Sequence, residues 1–166
     1  MENNQVGLLL SGKDLKLHRK WFEECVRLIG IQVVYRAPKT STVYYNLNTE
    51  ILANNYQDPI VVGCIFHEHP DQHTMKKLGW VSELQEDASL ISVPYDTPGL
   101  QRGALFIVPS GLDNTSGRVF RVDDMLVGMV YPASITCKIV PEYVDTFDSD
   151  LKDYKHTSFN LLNESD

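Results

Sequence analysis

Between Ile31 and Val140 the chain is a succession of short β-branched and aromatic runs, broken by turn residues roughly every 8–12 positions. That rhythm is the strongest constraint on the fold. Strands so short and so regularly interrupted suit a small barrel or sandwich. No helical pattern alternates with them, as a parallel doubly wound sheet would require. The runs are Ile31–Arg36, Ile60–Phe66, Trp80–Glu86, Ser89–Pro94, Ala104–Val108, Arg118–Val122, Met125–Tyr131 and Ser134–Val140, with a further short candidate at Val43–Leu47. Ser110 to Gly117 is rich in Gly, Asn and Ser and lies between two of them, which reads as a hairpin with a long tip. Arg118–Val122 alternates too imperfectly to assign its buried face.

Ahead of the strands lies one clear helix. Ser11 is a cap candidate with Asp14 three residues on, and Leu15, His18, Trp21, Phe22, Cys25, Val26 and Ile29 recur at helical spacing. Lys13, Lys16, Lys20, Glu23, Glu24 and Arg27 take other faces, and Gly30 stands at the expected stop. A stripe holding both Trp21 and Phe22 is expected to dock on another surface. A second, short helix is expected over Asp71–Leu78, with Pro70 in its first turn and Gly79 closing it. The fold class is therefore mainly β: a small β-barrel or sandwich with an N-terminal α-helix, one short helix and an extended C-terminal arm.

The arm is set apart by charge. The 166 residues carry a net charge of −7, and residues 142–166 hold seven carboxylates against two lysines. This stretch has no period of 2 or 3.6, so the division is a barrel-like domain over 1–141 and an acidic arm over 142–166. Phe147, Tyr154, Phe159, Leu161 and Leu162 are spaced along it. The choice lies between a frayed terminus and an arm that orders on a neighbouring subunit through those apolar anchors. The first helix carries Lys13, Lys16, Arg19, Lys20 and Arg27, so it is a candidate surface for such an arm. The acidic balance argues against broad binding to nucleic acid or anionic membranes. Apolar runs such as Ala104–Val108 are far below the roughly 20 residues of a membrane helix. The polar start, Met1–Gln5, is unlike a secretion signal, and three cysteines without a CxxC spacing suggest reduced thiols in a reducing compartment.

Chemistry-bearing residues are densest from Cys64 to His73, where His67, His69 and His73 accompany Glu68 and Asp71. These are zinc-ligand types, and strand alternation would put His67 and His69 on one face with Cys64 on the other. Surface histidines in a polar loop at a strand end is one reading; a zinc site, as in a small zinc-dependent hydrolase using His67, His69 and His73, is a second, and a histidine pH sensor a third. No matching fourth ligand is evident, and no metal or other cofactor is expected. Asp123-Asp124 reads as a solvated turn, and Cys25 and Cys137 as small core hydrophobes. No nucleophile elbow or phosphate-binding loop is present.

The order of motifs over 58–141 resembles one family. Asp58-Pro59 leads into a strand, then come Lys76-Lys77-Leu-Gly79-Trp80, Ile91-Ser-Val-Pro94-Tyr95 and Leu100-Gln-Arg-Gly103-Ala-Leu-Phe106. Gly117-Arg-Val-Phe120-Arg-Val122 and Val130-Tyr-Pro132 follow, before a last strand over Ser134–Val140. The succession resembles the head-closure and neck (head–tail connector) proteins of tailed bacteriophages. The N-terminal helix and the long acidic arm depart from the shorter members. The resemblance implies a structural protein of the virion, made in the host cytoplasm and not an enzyme. It implies a ring of six or twelve copies between the portal or adaptor and the tail-end proteins, closing the DNA-filled head and attaching the tail. Packaged DNA would pass through without specific binding. On this reading Trp21, Phe22, Phe147, Tyr154, Phe159, Leu161 and Leu162 form subunit or partner interfaces. Gly111, Asp113, Asn114 and Gly117 mark a loop facing the channel or a partner.

Overall fold

A computed structural model describes residues 12–39, 56–80, 87–110, 116–126 and 133–142. It contains α1 (Gly12–Ile29), β1 (Ile31–Arg36), β2 (Ile60–His67), α2 (Gln72–Lys77), β3 (Ser89–Pro94), β4 (Leu105–Ser110), β5 (Ser116–Leu126) and β6 (Ser134–Pro141). The strands close into an antiparallel barrel in the order β1-β2-β3-β6-β5-β4, β4 pairing back onto β1. The architecture is a barrel and not a sandwich. Among the described residues there are six strands. Trp80 is not in a strand, and 81–86 and 43–47 lie outside the described residues.

Alternation fills the interior. Val33, Tyr35, Val62, Cys64, Ile91, Val93, Phe106, Val108, Phe120, Val122, Cys137 and Ile139 share one core. Tyr35 and Phe106, and Phe66 and Phe120, meet with ring centroids 5.0 and 5.7 Å apart. Two smaller clusters lie on the outer wall. One gathers Val34, Tyr56, Leu105, Ile107 and Val119; the other gathers Met75, Trp80, Ala88 and Leu90 around α2.

β5 runs unbroken through Leu126, where the sequence suggests two strands. The reason is a register shift between Val122, opposite Ile139, and Asp124, opposite Lys138. The extra residue, Asp123, reverses which parity faces inward. Phe120 and Val122 point into the barrel before it, and Met125 packs on the same core after it. This is why the alternation over 118–122 is hard to extend. The two aspartates are not a solvated turn. Asp123 pairs with Lys138 at 2.6 Å, and Asp124 accepts from Trp80 Nε1 at 2.8 Å and Arg102 Nη2 at 2.7 Å. Burial pushes the Asp124 carboxyl up. Hydrogen bonds from Arg102, Trp80 and the Met125 amide outweigh it, so its pKa is lowered overall.

That carboxylate ties the outer α2 layer to the barrel. Asp124→Ala leaves the Trp80 indole N–H without its acceptor, and the expected cost is about 1–3 kcal/mol. A depressed folded pKa means the contribution is complete above the unfolded carboxyl pKa of about 4 and is lost as pH falls through the folded value. Urea unfolding of the two proteins from pH 7 to pH 3 checks this. The gap in midpoint should be widest at neutral pH and should shrink below about pH 4.

α1 lies along the outside of β2 and β3. Two glycines set how close it comes. A Cβ on Gly63 would meet Val26 Cγ1 at 2.9 Å, and one on Gly30 would meet the carbonyl oxygens of Val26 and Cys64 at 2.4 and 2.7 Å. Gly30 is therefore required by close approach, and it is not among the residues with positive φ. Its amide donates to Val26 O at 2.8 Å, closing the helix. α2 begins one residue later than expected. Asp71 is its N-cap, accepting from the Thr74 amide at 2.8 Å, and Gly79 follows in the left-handed region at φ 80°. Hydrogen bonds from Thr74 lower the Asp71 pKa.

Candidate assembly surface

The helix seated by those glycines buries only part of its apolar surface. Phe22 is buried, with Val26 and Arg19 half-buried beside it, and the Arg19 guanidinium lies 3.4 Å from the centre of the Tyr95 ring. Trp21 does not join them: it is 65% exposed. One position along a helix is a rotation of about 100°. Once Val26 sits over Gly63 and Phe22 faces the wall, Trp21 points away from it. Leu17 and Leu28 are 66% and 70% exposed and share that outer face at i, i+4 and i+11. Sequence spacing placed Trp21 and Phe22 on one docked stripe; the structure separates them, and it adds Leu17 and Leu28, which spacing alone did not single out. Lys13 and Lys20 flank the outer stripe and are exposed, and Arg27 pairs with Glu24 at 2.9 Å.

The strand directions sort the rest of the surface. One end of the barrel gathers the starts of β1, β3 and β5 and the ends of β2, β4 and β6. The described chain ends there, at Glu142. This residue, placed in the arm by its charge, is fastened to β5: its amide donates to Val119 O at 2.9 Å and its carboxylate accepts from Arg121 Nε at 2.8 Å. Arg121 and Arg36 also lie near Tyr56, a phenol that burial raises to about 12. Nothing in local spacing reveals this outer group, because β1, β5 and the segment at Tyr56 meet only through the barrel.

Gly117 belongs to β5, opposite Pro109, and is not in a loop tip as expected. Gly111, Asp113 and Asn114 lie outside the described residues, as do Phe147, Tyr154, Phe159, Leu161 and Leu162.

The histidines do not converge. β2 ends at His67, opposite Leu90, and the chain bends across Glu68 and His69, where φ is 50°. The expected strand-borne H-x-H pair is thus not formed, since alternation stops before His69. His73 stands exposed on α2, and Cys64 faces the core. Glu68 pairs instead with Arg118, with His69 Nε2 at 3.7 Å. Among the described residues no three His, Cys, Asp or Glu side chains form a group able to hold a metal ion. Burial raises the Cys64 and Cys137 thiols to about 12, so both are protonated core residues at neutral pH. At the other barrel end, a cleft of about 350 Å³ includes Tyr35, Gln57, Asp58 and Pro98 in its lining. The Tyr35 hydroxyl there already donates to Pro98 O at 3.0 Å.

No described helix is long and apolar enough to cross a membrane. Comparison with protein-family models and with curated proteins finds no match.

Proposed function

We propose that this chain is a non-catalytic β-barrel subunit that assembles into a ring in the neck of a tailed bacteriophage, between portal and tail. The observation that carries the proposal is the outer face of α1. A tryptophan and two leucines stand exposed on one stripe of a helix whose opposite side is already docked. Exposed tryptophan is expensive to leave in water and is a frequent energetic anchor of protein interfaces. The motif order over 58–141 supports the neck as the setting, and the mainly β architecture is compatible with it. Within the ring the acidic balance would let the DNA pass without counterion-releasing contacts.

The full chain, purified and examined by sedimentation velocity and negative-stain microscopy with and without portal complexes, is expected to form closed assemblies of six or twelve copies. A protein that remains monomeric alone and with portal and tail-end partners would overturn the proposal.

A further inference from the structure

We infer that the outer face of α1 is the seat for residues 143–166 of a second copy of this chain. The inference rests on the ring reading above and adds the contact that joins one subunit to the next. The seat is the stripe of Leu17, Trp21 and Leu28, bordered by the exposed Lys13 and Lys20; Glu24, on the same face, is paired with Arg27 at 2.9 Å. The proposed occupant has the complementary composition. Residues 143–166 carry six carboxylates against two lysines, with Phe147, Tyr154 and Phe159 spaced between them. Rings can enter the apolar stripe while the intervening acids meet the lysine border.

The ring reading favours a neighbour over the same copy. α1 lies on β2 and β3, whereas Glu142 follows β6 and is fastened to β5. The last described residue and the proposed seat are therefore two different surfaces of the barrel. Two different surfaces are the requirement of a head-to-tail contact, and such contacts close into rings when the rotation permits.

Photo-cross-linking in the full chain tests this. Lys20 is replaced by p-benzoylphenylalanine, and equal amounts of ¹⁴N- and ¹⁵N-labelled protein are mixed before assembly. The expected products join position 20 to peptides from 143–166, with about half the cross-links carrying mixed labels, as random pairing between copies requires. Same-label cross-links alone would show that the segment serves its own helix and would overturn the inference. Rings whose cross-links run from position 20 to another copy's strands, or to nothing, would overturn the seat and leave the ring reading standing. Monomers without cross-links would overturn both. A second measurement uses charge. Lys13→Glu with Lys20→Glu should weaken self-association at least tenfold. Mixing with copies carrying Asp148→Lys and Asp153→Lys should restore it. A double variant that assembles like the parent in low salt would also count against the seat.

Discussion

Alanine at position 30 is expected to lift α1 from the barrel and lower the unfolding free energy by about 2–3 kcal/mol, the upper part of the range for overpacking. The new methyl would stand 2.4 Å from Val26 O and 2.7 Å from Cys64 O. Both are backbone atoms, one held in the helix and one in β2, so neither can swing aside as a side chain would. Relief requires moving the helix end, which separates Val26 from Gly63 and disturbs Phe22. The thermal midpoint should fall by about 5–10 °C. Gly12→Ala is the matched control: its Cβ meets nothing within 4 Å, so its midpoint should stay close to that of the parent. Equal effects at the two positions would mean that helix propensity, and not close approach, governs Gly30.

If the chain assembles as proposed, Trp21→Glu is expected to do the reverse, leaving the subunit intact while dispersing the assembly. The side chain is 65% exposed, so the barrel loses little by its removal. If it anchors a neighbour, loss of its contact area and the introduction of a carboxylate facing an acidic partner should raise the subunit dissociation constant at least thirtyfold, or about 2 kcal/mol. Sedimentation equilibrium measures the association, and denaturant unfolding of the same preparation measures the subunit. A variant that still assembles at the parent's concentration would show that the ring is held elsewhere.

The strands were legible because each needs only local alternation and a turn at either end. Ile31–Arg36 and Ser89–Pro94 are read with their observed limits. Closure was not legible. The pairings of β1 with β4 and of β3 with β6 bring together residues far apart in the chain, and period-2 patterns carry no information about partners. The division of β5 falls at Asp123-Asp124, where two aspartates read as a turn but form an irregularity that reverses the facing parity within one strand. The helix was legible in position but not in rotation. Trp21 and Phe22 look equivalent in an apolar stripe, and only Gly63, a residue of another element, decides which turns inward. The histidines illustrate the opposite error. Nearness in sequence suggested a shared face, yet His67 ends β2 and His69 lies beyond the bend that follows it. Glu142, the first residue of the acidic stretch, is held on the outer wall of the barrel by Arg121, a contact that charge along the sequence does not announce.

Every described strand has a neighbour on both sides. Among the described residues no strand of the barrel keeps one edge wholly unpaired to recruit a foreign chain, a common route to fibres and exchanged strands. If copies assemble as proposed, they can be crowded together at high local concentration and join through side-chain surfaces. Such joints would come apart and re-form without unzipping a ladder, so a misplaced subunit could be discarded and replaced while the barrel itself stays folded.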